Sequence, residues 1–139
     1  MKLEDSETAQ RLKEAFAREA QAVRRYLYFA TKADIEGYGE IGAMFRAIAE
    51  RRAEHAHGHL ERCEALGDPI GGLPLGSTRA NLTSALATET ADRATFYPEL
   101  ARIAHAEGFH DLAAWFEALG RAQHVYAKRL RKVLERLAE

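Results

Sequence analysis

The stretch AERRAEHAHGHLERC, residues 49 to 63, concentrates side chains that bind metals or carry charge. Imidazole and carboxylate groups are transition-metal ligands, whereas a guanidinium group is a permanent cation that pairs with carboxylates. The helical spacing of the apolar residues around this stretch predicts that Arg52, His55 and His59 point inward. The charged residues between them are predicted to be solvated. The stretch therefore combines a solvated face with a possible metal or ion-pair site.

Polar residues interrupt the apolar faces of the other predicted helices at the same level. Steps of three and four residues give one inward face for each of four helices, and each face is apolar except near its middle. The residues at that level are Glu19, Tyr26, Arg52, His55, Glu89, Asp92, Gln123 and Tyr126. Burying several such groups in one layer is costly unless a metal or an ion-pair network compensates. This layer is the candidate site.

Four helices are needed to position these residues. Hydrophobic residues make up 47% of the 139-residue chain and only three residues are proline, which favours helices over strands. The first helix is predicted from an N-cap at Ser6 or Thr8 to about Asp34. The others are predicted at about 40 to 66, from Ser77 or Thr78 to about 108 with a bend at Pro98, and at about 109 to 138.

The connection GDPIGGLPLGS, residues 67 to 77, is the one long loop of this pattern. Eleven extended residues span roughly 36 to 40 Å, about the length of one of these helices. The predicted fold is therefore all-α, a ferritin-like four-helix bundle with one long crossover between its second and third helices. It forms a single domain over residues 1 to 139, with helix pairs at about 6 to 66 and 77 to 138. Exchange of helix pairs between two copies fits the loop equally well, so a homodimer is expected.

An internal repeat relates the two helix pairs. EGYGEIGAMFRAIAERRAEHA from Glu36 matches EGFHDLAAWFEALGRAQHVYA from Glu107, an offset of 71 residues. At this offset Tyr26 falls on Tyr97, and the two site residues Arg52 and His55 fall on Gln123 and Tyr126.

Charge and composition exclude several classes of function. A net charge of -1 and a pI near 6.6 argue against general binding of nucleic acid or of an anionic membrane. Apolar runs are too short to span a bilayer and the acidic start does not resemble a secretory signal, so a cytoplasmic protein is expected. Cys63 is the only cysteine and is predicted to be a buried core thiol.

The sequence resembles the rubrerythrins, ferritin-like di-iron proteins, over nearly its whole length. The resemblance lies in EAFAREAQAVRRYLYFATKADIEGYGEI, EHAHGHLE, GLPLGSTRANLTSALATET and YPELARIAHAEGF. It implies a four-helix bundle, two irons and reduction of hydrogen peroxide. The family's metal ligands are a Glu on the first helix, Glu-x-x-His on the second, Glu-x-x-Glu on the third and Glu-x-x-His on the fourth. The four-cysteine iron domain that often accompanies this bundle is not found in the sequence.

Four positions keep metal-binding residues under this resemblance. Glu19 matches the ligand of the first helix, His55 the histidine of the second and Glu89 the first carboxylate of the third. Asp92 stands at the second carboxylate of the third helix and is one methylene shorter than glutamate. These four residues form an oxygen-rich set that suits one iron or another divalent metal.

Three positions depart from the family pattern. Arg52 replaces the glutamate of the second helix, and Gln123 and Tyr126 replace the glutamate and histidine of the fourth. Three carboxylates and one guanidinium give a formal charge of -2, whereas the family pattern supplies five carboxylates. Because arginine does not lose its proton in proteins, a di-iron centre is not expected, and no cofactor is the expectation.

Two functions follow from this reading. In the first, Arg52 bonds to two of the carboxylates Glu19, Glu89 and Asp92, while Gln123, Tyr126 and the nearby Tyr26 complete a network. The protein is then a scaffold that is not a di-iron peroxidase. In the second, it is a metal-binding oxidoreductase of rubrerythrin type that uses one metal or an unorthodox pair, with hydrogen peroxide as substrate. A third and weaker reading, an anion held by Arg52, conflicts with the excess of acids around it.

Overall fold

The computed structural model describes residues 1–138, in which the regular elements are helical and no residue is in a β-strand. The predicted all-α class is confirmed. The elements are a 3-10 turn at Leu3–Asp5, α1 at Glu7–Ile35, α2 at Gly39–Cys63, α3 at Thr78–Ala91, a π-helical turn at Asp92–Phe96, α4 at Tyr97–Ala106 and α5 at His110–Ala138. None of the helices in this described range is long and apolar enough to cross a membrane.

Serine side chains begin the first and third helices. Ser6 Oγ accepts a hydrogen bond from the backbone N–H of Ala9, and Ser77 Oγ accepts one from Ala80, both at 3.1 Å. Each bond satisfies one of the N–H groups that a helix start leaves without a partner. The predicted N-caps Ser6 and Ser77 are confirmed.

The chain divides into two compact units, Met1–Gly72 and Leu73–Glu139. The first unit is the pair α1 and α2, and the second contains α3, the π turn, α4 and α5. The predicted helix pairs thus correspond to these units. The assignment of residues 1 to 139 to one domain stays a prediction.

The turns inside the two units have the same backbone structure. Gly37 (φ 89°) and Gly108 (φ 86°) take left-handed conformations after α1 and α4. Tyr38 N–H donates to the Ala33 carbonyl at 2.8 Å, and Phe109 N–H donates to the Ala104 carbonyl at 2.7 Å. These are Schellman turns, in which the glycine has no Cβ to oppose a positive φ. Their 71-residue offset is that of the sequence repeat.

The helix before the second of these turns is interrupted by the π-helical turn Asp92–Phe96. The sequence predicts a bend at Pro98 in a continuous helix, but the irregularity precedes the proline and α4 begins at Tyr97 with Pro98 in its first turn. The backbone stays helical through the π turn, where Tyr97 N–H donates to the Asp92 carbonyl, so α3, the π turn and α4 form one continuous helix. The second helix also ends earlier than predicted, at Cys63.

Small residues form the contact between the helices of each unit. The buried side chains include Ala30 and Ala33 in the first unit and their counterparts Ala101 and Ala104 in the second. Cys63 is fully buried, as predicted. Two helices can bury only the sides on which they touch. Larger apolar residues elsewhere on these helices are accordingly exposed, among them Ile41, Ile48, Ile103, Leu112 and Val133.

Candidate functional site

In the first unit, Arg52 on α2 is paired with Glu19 on α1. Arg52 Nη1 lies 3.2 Å from Glu19 Oε1, and the two side chains are 36% and 15% exposed. The predicted contact between these residues is present. The hydrogen bond and charge of Glu19 raise the pKa of Arg52 further above its ordinary value, so the guanidinium stays charged.

Tyr26 lies on the same side of the first unit as this pair. It contributes a smaller hydrogen-bond and charge effect on the pKa of Arg52, after the dominant effect of Glu19. Its ring stacks on that of Phe45, with centroids 5.9 Å apart and planes 16° apart. The counterpart of this aromatic pair in the second unit is Tyr97 with Phe116, 6.3 Å apart. The stacking fixes Tyr26 beside Arg52.

His55 approaches the same carboxylate oxygen as Arg52. Its Nδ1 lies 3.6 Å from Glu19 Oε1, and its side chain is 55% exposed. This distance is too long for a hydrogen bond, so it is an ion-pair contact only when the imidazole is protonated. A single oxygen of Glu19 therefore faces two nitrogen groups, one of which is always cationic.

In the second unit, α5 and the π turn bring an amide onto a carboxylate. Gln123 Nε2 donates a hydrogen bond to Asp92 Oδ2 at 3.2 Å. Glu89 lies one turn before Asp92. Burial and, to a lesser extent, the charge of Asp92 raise the pKa of Glu89 above its ordinary value, while a hydrogen bond from Gln123 opposes the rise. The sequence-predicted residues Glu89, Asp92 and Gln123 thus form one cluster.

The π turn explains how Glu89 can lie on the same helix face as Tyr97, just as Glu19 lies on the same face as Tyr26 in the first unit. Seven residues separate Glu19 from Tyr26, whereas eight separate Glu89 from Tyr97. Seven residues are two turns of an α-helix, and a π turn accommodates one residue more per turn. Glu89 and Tyr97 therefore share a helix face, as Glu19 and Tyr26 do. The unequal spacing was the signal in the sequence from which this turn could have been found.

Tyr126 lies on α5 with its side chain 49% exposed. Within residues 1–138 its hydroxyl makes no hydrogen bond, so its predicted part in a network stays a prediction. The same holds for the predicted contacts of Arg52 with Glu89 and Asp92, because these acids belong to the other unit.

Comparison with known proteins identifies the family. The family model described as Rubrerythrin matches residues 10–73 and 80–139. The chain belongs to the rubrerythrin family. It is 34% identical to a rubrerythrin of Porphyromonas gingivalis over 91% of this chain and 66% of that protein. It is 33% identical to rubrerythrin-1 of Clostridium acetobutylicum over 99% of this chain and 74% of that protein.

A solved structure is also similar, that of symerythrin from Cyanophora paradoxa reduced with dithionite. It has a TM-score of 0.45 and 25% identity, and the match covers 92% of this chain and 83% of that one. The chain spans about two thirds of the length of the Porphyromonas rubrerythrin.

The observed side chains do not fit the iron pair that the rubrerythrin family implies. Arg52 places a permanent cation 3.2 Å from a carboxylate oxygen that a di-iron centre would need. Gln123, at another ligand position, donates its amide N–H to Asp92 and brings no negative charge, whereas the family pattern has a carboxylate there. In residues 1–138, no group of three or more His, Cys, Asp or Glu side chains has an arrangement suited to a metal ion.

Three buried polar atoms nevertheless have no hydrogen-bond partner among the described residues. They are Glu19 Oε2 in the first unit and Glu89 Oε2 and Gln123 Oε1 in the second. A buried carboxylate oxygen is costly unless a donor or a cation reaches it. In each unit, one carboxylate thus keeps an oxygen with unused capacity.

A histidine cluster in the second unit was not found from the sequence. His105 and His110 are exposed, and their Nδ1 atoms are 2.9 Å apart, while His105 Nε2 lies 2.9 Å from Glu117 Oε1. Hydrogen bonding is consistent if Nε2–H of His105 donates to Glu117 and Nδ1–H of His110 donates to His105. The turn at Gly108 brings the two histidines together, which their sequence spacing does not indicate.

Proposed function

We propose that this rubrerythrin-family protein is not a di-iron peroxidase and that ion pairs and amide hydrogen bonds replace the metal at its ligand positions. The protein then acts as a ferritin-like scaffold whose role is association or binding. The contact of Arg52 with Glu19 carries the proposal, because it neutralises the first ligand carboxylate with a charge that does not titrate.

The second unit supports the same proposal through a different substitution. A glutamate at position 123 would repel Asp92 and Glu89 unless a cation lay between them, whereas Gln123 donates to Asp92 without a metal. In both units the residue that departs from the family pattern thus stabilises a neighbouring carboxylate. This is the arrangement expected if each cluster is built to be stable without iron.

The decisive experiment measures iron content and peroxide consumption of the full chain after anaerobic loading with Fe(II). We expect fewer than two irons per chain and no iron-dependent consumption of hydrogen peroxide. The variant Arg52→Glu, Gln123→Glu, Tyr126→His restores the family's ligand types and is expected to bind iron. A matched variant shifts the same changes by one position, Arg51→Glu, His124→Glu and Val125→His. Iron binding by this control as well would show that added carboxylates alone are sufficient.

A second candidate function is binding of a single divalent metal by Glu19, His55, Glu89 and Asp92. The partnerless oxygen that Glu19 has in the first unit and the one that Glu89 has in the second favour it, because a buried carboxylate oxygen is stabilised by a cation. Calorimetric titration with Mn(II) or Fe(II) is the test. One site per chain that is lost in Glu89→Gln would support this candidate, and peroxide consumption in the same sample would extend it to an oxidoreductase.

We further propose that the protein forms a homodimer, in which two copies can exchange helix pairs. The apolar residues that each unit leaves exposed, such as Met44 at 52% and Trp115 at 58%, favour association. Light scattering coupled to gel filtration measures the mass in solution. A mass of about 31 kDa, twice the 15.5 kDa of one chain, is expected, and a monomer at all concentrations would contradict this proposal.

A further inference from the structure

We propose that the second unit binds an amphipathic anion, a molecule with a hydrocarbon body and a carboxylate or phosphate head, in two adjoining cavities beside α5. This proposal does not depend on the metal question, since neither cavity is lined by a residue of the candidate metal site.

The first cavity, here called the apolar cavity, lies between α4 and α5. Its volume is about 660 Å³, within the range of small-molecule sites in proteins. Its apolar surface is formed by Tyr97, Pro98, Ala101, Phe116 and Gly120. A surface of this kind suits a hydrocarbon chain or ring rather than a free inorganic ion.

Gly120 lines the apolar cavity. It lies inside α5, where glycine is less favourable than alanine. A Cβ built at Gly120 would meet the Cβ of Tyr97 at 3.7 Å, an ordinary van der Waals distance. Packing against Tyr97 therefore does not require a glycine. The counterpart in the first unit, 71 residues earlier, is Ala49, which is buried.

The second cavity, here called the basic cavity, has a volume of about 270 Å³ and shares Arg93 and His124 with the first. Its other lining residues are Thr90, Ala127, Lys128 and Arg131. No carboxylate lines it. Arg93, Lys128 and Arg131 can attract an anionic head, and the Thr90 hydroxyl can donate a hydrogen bond.

Glu117, which lines the apolar cavity, and Glu99 on α4 are both engaged with other side chains. Glu117 contacts His105 Nε2 at 2.9 Å, and Glu99 receives two hydrogen bonds from Arg102. In contrast, Arg93, Lys128 and Arg131 form no ion pair with any carboxylate in the described part of the chain. Their charges are available to a ligand.

The arrangement of these charges on α5 is unfavourable without a counterion. Arg121, His124, Lys128 and Arg131 follow at steps of three and four residues, so they share one side of the helix. Lys128 and Arg131 are like charges three residues apart, a spacing that destabilises a helix slightly, and a bound anion would reverse this effect. The duplicated positions of the first unit hold Glu50, Ala53, His57 and Leu60, so the fold itself does not require the basic row.

Arg93 reaches this row because of the π turn. It lies in Asp92–Phe96, for which the uninterrupted helix α1 of the first unit has no equivalent. Single π turns inside α-helices occur often at functional sites. One position earlier, Asp92 bonds to Gln123 of the candidate metal site, so adjacent residues of this turn serve two different clusters.

Calorimetric titration of the full chain with decanoate and with decyl phosphate tests the proposal. We expect saturable binding of both, no binding of decanol, which lacks the charge, and weaker binding of inorganic phosphate, which lacks the hydrocarbon. The variant Lys128→Gln, Arg131→Gln is expected to weaken decanoate binding about ten-fold or more. The matched control Arg18→Gln, Arg24→Gln removes two exposed charges of α1 and is expected to leave the affinity unchanged.

A second variant separates the two cavities. Gly120→Leu places a side chain in the apolar cavity, so it should abolish binding of decanoate while phosphate binding persists. If this variant does not fold, as judged by circular dichroism, the Lys128→Gln, Arg131→Gln variant alone decides. Equal affinity for decanol and decanoate, or unchanged affinity in the charge variant, would overturn the proposal. Sedimentation with phosphatidylglycerol vesicles tests whether the anion is a membrane lipid. Binding to vesicles without binding to either soluble amphiphile would also overturn the proposal.

Discussion

Arg52 Nη1 lies 3.2 Å from Glu19 Oε1, so a guanidinium group pairs with the carboxylate at the first metal-ligand position of the family pattern. The contact links α1 to α2 within the first unit. Because the pKa of Arg52 is raised by Glu19, no accessible pH removes this charge. This ion pair compensates for the burial of the Glu19 carboxylate, which is 15% exposed.

Removal of the Arg52 charge should destabilise the protein. Arg52→Met leaves the carboxylate of Glu19, which is 15% exposed, with His55 as its only observed neighbour of possible positive charge. We expect a lower midpoint of thermal unfolding by circular dichroism in metal-free buffer. Arg51→Met is the control, since Arg51 pairs with Glu54 at 3.6 Å with both side chains largely exposed. An equal effect of both changes would show that the Arg52 pair contributes no more than a surface contact.

The hydrogen bond of Gln123 to Asp92 should contribute measurably to stability. Gln123→Leu removes the donor and leaves Asp92 Oδ2 without it. We expect the free energy of unfolding to fall by about 1 kcal/mol in urea titrations. Gln123→Glu should lower the free energy of unfolding further in the absence of metal, and addition of Mn(II) should raise it again. If Gln123→Glu is as stable as the native chain in metal-free buffer, the hydrogen bond from Gln123 to Asp92 does not have the predicted role.

The duplicated turns give a prediction with an internal comparison. Gly37→Ala and Gly108→Ala force a Cβ into a left-handed conformation, although neither Cβ would meet another atom within 4 Å. Each change should therefore cost about 1 kcal/mol through the backbone alone, and the two costs should be similar. Gly39→Ala also meets no atom within 4 Å but has no positive φ, so it should not destabilise. Urea unfolding of the three variants tests this. An unchanged free energy of unfolding in Gly108→Ala would contradict the left-handed conformation of Gly108.

Cys63 should make stability fall at high pH. Burial raises the pKa of its thiol above the ordinary value of 9.0. The unfolded chain therefore loses this proton at a lower pH than the folded chain, so the thiol's contribution to stability is present below pH 9 and is lost above it. In Cys63→Ala the decline of unfolding free energy above pH 9 should be shallower. If the unfolding free energies of the two proteins decline in parallel above pH 9, burial does not raise the pKa of the Cys63 thiol.

Much of the fold could be predicted because its signals are local. Ser6 and Ser77 precede helical stretches and serve as N-caps, and Gly37 and Gly108 end helices, as their sequence contexts indicate. The repeat predicts two similar helix pairs because identical turn chemistry recurs at one offset. Pro98 predicts a bend in the third helix, and the structure has a π turn that ends two residues before the proline, a displacement that the sequence pattern does not indicate.

The candidate site could be predicted only in part. Arg52 and Glu19 were found because both interrupt apolar faces, and their contact follows from helix periodicity. The contact of His105 with His110 depends on a turn conformation that periodicity does not describe. The basic cavity was missed because a row of charges on one side of a helix is ordinarily a solvated surface. The feature that distinguishes this cavity from a solvated surface is Arg93 of the π turn, which lines it together with the charged residues of α5.

The central claim is that this rubrerythrin-family chain does not hold two irons. Elemental analysis of the 139-residue chain, loaded anaerobically with excess Fe(II) and then freed of unbound metal by gel filtration, measures this directly. The account predicts fewer than two irons per chain and a rise in bound iron in the variant Arg52→Glu, Gln123→Glu, Tyr126→His. Two irons per chain in the unmodified protein would contradict the account.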